Sequence, residues 1–174
     1  MRAAVLAGVV VAALVLTSCS DSDPEPEPTP DEIAGVGWSP CDGLSAERVS
    51  EIAGEAVEKQ TGSTDAPRCT FTPTTEGGAA YDINYLLFDG TLDEALSSMG
   101  SASQRLRPVQ VPGADSARIA VRERDSGILV SGFVETGGLV QSVNAVDVKP
   151  YDRRALVDST TALLAELVTQ APGD

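Results

Sequence analysis

From Ser45 onward the apolar positions of this chain switch between a helical and a two-residue spacing. Ser45 is placed to cap a helix. Val49, Ile52, Ala53, Ala56 and Val57 follow at i, i+3, i+4, i+7 and i+8, with Glu47, Glu51, Glu55 and Glu58 turned outward. Gly62 and Pro67 close that segment. Arg68 to Thr72 reads as a short strand with Cys69 and Phe71 on one face, and Pro73 to Gly78 as a turn. A longer strand runs from Ala79 to Phe88, where Tyr81, Ile83, Tyr85 and Leu87 alternate with Asp82, Asn84, Leu86 and Phe88. Thr91 and Glu94 have the spacing of a capping box, and Leu92, Ala95, Leu96 and Met99 form the stripe of a short second helix ended by Gly100.

The rest of the chain is strand-rich until its last helix. Val109 and Val111 precede a turn at Pro112-Gly113-Ala114-Asp115. Ala117, Ile119 and Val121 then alternate with Arg118, Ala120 and Arg122. Asp125-Ser126-Gly127 is a hairpin turn, and Ile128 to Glu135 and Leu139 to Val148 are strands joined around Gly137-Gly138. A last helix starts near Pro150 or Asp152, with Leu156, Leu163, Leu164 and Leu167 on its buried face. The order α-β-β-α-β-β-β-β-α, with short connections between strands, predicts an α+β domain: an antiparallel sheet of about five to six strands flanked by helices.

The N-terminus follows another rule. After Met1 and Arg2 an uninterrupted apolar run extends from Ala3 to Leu16. It is shorter than the ~20 residues a spanning helix needs and fits a signal-peptide apolar region. It ends in Leu16-Thr17-Ser18-Cys19, which resembles the lipobox of bacterial lipoproteins. Residues 1–18 are therefore expected to be removed. Cys19 would carry a diacylglycerol, whose two chains suffice for stable anchoring. From Ser20 to about Gly37 the chain has no periodic apolar pattern, and Asp21 to Glu32 alternates proline with acid, as in Asp23-Pro24-Glu25-Pro26-Glu27-Pro28. Proline and like charges extend such a stretch, and it lacks the apolar surface to fold. Residues 19–37 read as a lipidated tether, 38–170 as one α+β ectodomain and 171–174 as a tail.

Composition narrows the chemistry. The chain of 174 residues has 12 basic and 26 acidic side chains, a net charge of −14. That balance opposes nucleic-acid binding and electrostatic docking on anionic lipid. It contains no histidine, which removes Ser-His-Asp and Cys-His catalysis and imidazole metal sites. With Cys19 assigned to lipid, Cys41 and Cys69 are an even pair in an oxidising compartment and are expected to form a disulfide. There is no C-x-x-C spacing, EF-hand loop, P-loop, dinucleotide fingerprint or G-x-S-x-G elbow. No metal, cofactor or catalytic residue is implied.

Several segments carry a family resemblance. Trp38-Ser39-Pro40-Cys41-Asp42-Gly43-Leu44 precedes a helix, Cys69-Thr70-Phe71 lies on a strand, and Val111-Pro112-Gly113-Ala114-Asp115-Ser116-Ala117 leads into another. With the lipobox and acidic tether, the chain resembles a large family of uncharacterised actinobacterial lipoproteins carrying a domain of unknown function. The resemblance implies a cell-envelope location, a Cys41–Cys69 bond and a helix-flanked antiparallel sheet similar to the PsbP/Mog1-like fold. It implies no reaction. Some members have a second cysteine pair, which this chain lacks.

Two groups of residues are ligand-binding candidates. Asp82 and Asn84 form a carboxylate–amide pair between Tyr81 and Tyr85, although alternation favours a strand face turned to water. Arg118 and Arg122 share a strand face and could receive an anion, although pairing with the chain's own acids is the plainer reading. The expected function is a membrane-anchored, extracytoplasmic, non-enzymatic binding domain for an envelope protein or small ligand. An alternative is a carrier of lipid or another apolar molecule, with a cavity lined by Leu86, Leu87, Phe88, Leu163 and Leu167. A third is a carboxylate-based hydrolase, which needs two acids facing one cleft.

Overall fold

The computed structural model describes residues 39–63, 66–87 and 90–171. The signal segment, Cys19, the tether, Trp38, Phe88 and residues 172–174 lie outside the described residues, as does the side chain of Leu87. The described chain forms α1 (Ala46–Ala53), β1 (Val57–Ser63), β2 (Ala66–Pro73), β3 (Ala80–Leu87), α2 (Leu92–Ser98), a 3-10 helix (Gly100–Arg105), β4 (Arg107–Pro108), β5 (Ser116–Arg124), β6 (Gly127–Thr136), β7 (Leu139–Val148) and α3 (Arg153–Gln170). All seven strands join in one antiparallel sheet of order β1-β2-β3-β7-β6-β5-β4.

The α+β class and antiparallel sheet agree with the sequence reading, but the strand count and order do not. The first helix ends at Ala53, four residues before Val57, and Val57–Ser63 is an additional edge strand. Gly54 closes α1 at φ 74°, a left-handed cap whose N–H donates to Ser50 O. The Ser50 hydroxyl then accepts from Val57 N at 3.0 Å and turns the chain into the sheet. Val109 and Val111 lie outside regular strand; only Arg107–Pro108 pairs beside β5, extended by a bond from Val109 N to Ala117 O.

The register divides the side chains between two faces. Phe71, Tyr81, Ala145 and Val130 belong to one face, as do Cys69, Ile83, Val143 and Val134. All are buried, in one cluster with Leu156, Leu163, Leu164 and Leu167 of α3 and Val49 of α1. Asp152 caps α3 by accepting from Arg154 N and Ala155 N. On this face the Tyr81 hydroxyl lies 3.0 Å from Ser159 Oγ, so the buried phenol is satisfied. α3 packs closely over Gly132 in β6. A Cβ there would stand 2.8 Å from Leu164 Cδ1 and 3.3 Å from Thr160 Cγ2.

Cys41 and Cys69 form a disulfide across 5.4 Å between Cα atoms, joining the segment before α1 to β2. Lys59 of β1 reinforces that junction. Its ammonium donates to the Cys41 and Leu44 carbonyls. Arg48 of α1 pairs with Glu166 of α3 at 2.9 Å, locking the two helices together.

Candidate functional site

The second face of the sheet is only partly covered by the described residues. α2 lies over its β5–β7 side and buries Leu92, Ala95 and Leu96 against Val140, with Leu106 and Phe133 packed around them. Two contacts beyond this apolar cluster fix the helix. Glu135, itself buried, accepts from Leu92 N at 2.8 Å, satisfying one of the free donors of the first turn. Asp93 receives Arg118 through both carboxylate oxygens, at 2.8 and 3.1 Å. The Thr91–Glu94 capping box is formed as the spacing predicts. The 3-10 helix then carries the chain over β5 and β6 and delivers it to β4.

Where the 3-10 helix leaves the sheet it roofs a cleft of about 100 Å³. The lining comes from Met99, Ser103, Arg105 and Leu106 on the roof side, and from Ala120, Arg122, Leu129, Ser131 and Phe133 on the sheet side. The floor is apolar. Both hydroxyls are turned to neighbours: Ser103 Oγ donates to Gly100 O and Ser131 Oγ to Asn144 Oδ1. Arg105 and Arg122 have no partner among the described residues, so the cleft combines aliphatic and aromatic walls with two free guanidinium groups. It contains no carboxylate and no thiol. Its walls suit an apolar group flanked by negative charge.

The apolar surface continues past the cleft. Leu129 is opposite Val146, and Gly127 opposite Val148. Val146 and Val148 are 48% and 55% exposed, and Leu86, farther along the same face, is 45% exposed. Three outward-facing branched residues on one sheet face exceed what a solvated face requires.

The four residues singled out in the sequence are not brought together. Asp82 and Asn84 lie on this open face of β3. Asn84 Nδ2 donates to Asp82 Oδ2 at 2.9 Å, and Thr70 Oγ1 donates to Asp82 Oδ1 at 3.0 Å, so the carboxylate is engaged by its own strand neighbours. Along the Asp82–Asn144–Ser131 row Asp82 is two strand spacings, roughly 10 Å, from Ser131 at the cleft wall. Arg118 is tied to Asp93, Ser116 Oγ and its neighbour's carbonyl. Of the four, Arg122 alone lines the cleft. Sequence reasoning passed over Arg105, Leu129 and Phe133. The usable signal was that Leu129 and Phe133 put large apolar groups on the opposite face of β6 from Ile128, Val130 and Val134.

The residues pictured around a lipid cavity do not converge. Leu163 and Leu167 are fully buried between α3 and the sheet, while Leu86 is on the other face. Burial pushes the Tyr81 phenol and the Asp147 carboxyl up, and the charge on Glu55 adds to both. These groups belong to the helix-covered face, away from the cleft. Among the described residues no cluster of His, Cys, Asp or Glu could hold a metal ion, and no helix is long and apolar enough to cross a membrane. No protein-family model, curated protein or solved structure matches the chain significantly.

Proposed function

We propose that this protein is a lipid-anchored envelope lipoprotein whose domain is a non-enzymatic binding module, working through the uncovered face of its sheet. The single observation that carries the binding part is the cleft under the 3-10 helix, with apolar walls and two free guanidinium groups in a chain of net charge −14. The anchoring part is supported by the Leu16-Thr17-Ser18-Cys19 lipobox, the acidic tether and the Cys41–Cys69 bond, which suits an oxidising compartment. The same features support membership of the actinobacterial lipoprotein family that the sequence resembles. A helix-packed antiparallel sheet supports a PsbP/Mog1-like arrangement at the level of architecture.

Size favours an interaction module over a carrier. Sites for small molecules enclose roughly 300–1,000 Å³, well above the 100 Å³ of this apolar cleft, and the larger hollow of about 320 Å³ between Pro108 and Arg118 has a mainly polar lining unsuited to an apolar cargo. The test has two parts, both on the full chain expressed in an actinobacterial host. Metabolic labelling with an alkynyl palmitate should mark the protein and be abolished by Cys19→Ala. Native mass spectrometry from nanodiscs should then give the lipidated mass with no second lipid adduct. Unlabelled wild-type protein would refute the anchor, and a retained extra lipid would make the carrier reading the better one.

A further inference from the structure

The cleft opens beside a stretch of sheet edge with no partner among the described residues. Beyond β4, strand β5 has no strand alongside it among the described residues. Val109 N donates to Ala117 O, so Ala117 turns its backbone polar groups outward; by strand alternation Ile119, Val121 and Glu123 do the same. Ala117 and Ile119 are opposite Val109 and Arg107, whereas the edge-facing N–H and C=O groups of Val121 and Glu123 have no partner among the described residues. The lane beside them would be filled by extending β4 backward through Leu106 and Arg105, but there the chain rises into the 3-10 helix. That departure creates both the open edge and the cleft roof.

Charge is distributed to match. Arg105, Arg122 and Arg124 surround the open lane without partners among the described residues. Glu123, the carboxylate on β5 there, is neutralised by Arg153 at 2.8 Å. Three further acids are at this end: the exposed Asp125 in the hairpin turn, and Asp147 and Asp152 toward the helix-covered side, where Asp152 caps α3. A cleft of about 100 Å³ is the size of one aliphatic side chain rather than of a lipid.

We infer that the β5 edge is a site of strand addition, and that its occupant is an extended segment of a partner protein. That segment would carry one aliphatic side chain between two acidic residues, each two positions away. Backbone bonds would form to Val121 and Glu123. The aliphatic group enters the cleft over Leu129 and Phe133. The acids, on the same face of the added strand because side chains repeat every two residues, meet Arg105, Arg122 and Arg124. This rests on the binding-module reading and supplies its partner chemistry.

The test uses the full chain in nanodiscs and a fluorescein-labelled synthetic peptide, Thr-Glu-Thr-Leu-Thr-Glu-Thr. Anisotropy should show saturable binding. Moving the leucine by one position, which sends it to the opposite face, should weaken binding at least tenfold. N-methylation of the edge-facing amides, which removes the backbone donors, should do the same, as should Arg105→Ser with Arg122→Ser in a protein of unchanged circular dichroism. Hydrogen exchange at Val121 and Glu123 should slow in the complex. Absence of saturable binding, or binding indifferent to N-methylation and to the leucine shift, overturns the inference. So does displacement of the peptide by decanoate, which would make the cleft an acyl site. If the peptide fails while Cys19 is still labelled by palmitate, the edge assignment is lost and the anchored protein stands.

Discussion

Replacing Gly132 by alanine isolates how closely α3 is seated on the sheet. In an ordinary strand the change stabilises, since glycine costs about 0.5–1 kcal/mol relative to alanine. Here the new methyl would stand 2.8 Å from Leu164 Cδ1, 3.3 Å from Leu164 Cγ and 3.3 Å from Thr160 Cγ2. Leu164 and Thr160 are fully buried, with Thr160 Oγ1 bonded to Leu156 O, so neither can move without displacing the helix. Overpacking of a filled core costs about 1–3 kcal/mol. The two terms leave Gly132→Ala destabilised by roughly 1 kcal/mol, or about 3–6 °C in Tm for a domain of this size. Urea unfolding followed by far-ultraviolet circular dichroism should show a lower midpoint with an unchanged slope. Leu164→Ala alone should cost about 2–5 kcal/mol. In that background Gly132→Ala should become neutral or stabilising, because the methyl then fills vacated space. The double-mutant cycle should return at least ~1 kcal/mol of coupling. A stabilising single mutant, or strict additivity, would refute the account of α3 packing.

Three further outcomes follow from the described contacts. Replacing Cys41 and Cys69 by alanine opens a loop with a sequence separation of 28, worth about 3.6 kcal/mol in the chain-entropy model, so the urea midpoint should fall sharply; an unchanged midpoint would contradict it. Asp147, whose Oδ1 is buried without a partner, has its pKa raised by burial. Its ionisation penalises folding above the raised pKa and ceases to do so below the ordinary aspartate value of about 3.9, so Asp147→Asn should stabilise at neutral pH and converge with wild type in acid. Glu166 is held below the usual carboxylate range first by the hydrogen bond from Arg48. Its contribution is therefore present above the ordinary glutamate value of about 4.3 and lost as pH falls through the lowered pKa. Arg48→Met should show a small stability deficit at neutral pH that closes in acid; a pH-independent difference would exclude the ion pair as its cause.

The extent to which sequence reported structure differs element by element. α2 was legible because Thr91 and Glu94 carry a local signature, and β5, β6 and β7 because runs of β-branched and apolar residues lie between clear turn signals, with alternating burial along most of β6. β1 was not: its sequence Val57-Glu58-Lys59-Gln60-Thr61-Gly62-Ser63 has one large apolar residue, since an edge strand buries little, and Val57 continued the helical spacing of α1. Gly54 was the available stop signal, and periodicity overrode it. The 3-10 helix, Gly100-Ser101-Ala102-Ser103-Gln104-Arg105, has no apolar period at all and is positioned by the α2 clamp before it and the β4 pairing after it. The cleft depends on that tertiary arrangement. Its residues come from three separated segments, and only Arg122 was singled out beforehand.

If Cys19 is anchored as proposed, the Cys41–Cys69 bond would also set how the domain bears mechanical load. Tension on a chain anchored at its N-terminus would arrive at Ser39 and, two residues later, cross the disulfide into β2. β2 is an internal strand, flanked by β1 and β3, so the pull is shared by two hydrogen-bonded ladders. α1 lies beyond the crosslink and is shielded from that pull. Reduction would reroute the force through Leu44 and the Ser45 cap and peel α1 from α3 turn by turn, with the Arg48–Glu166 pair among the first contacts to open.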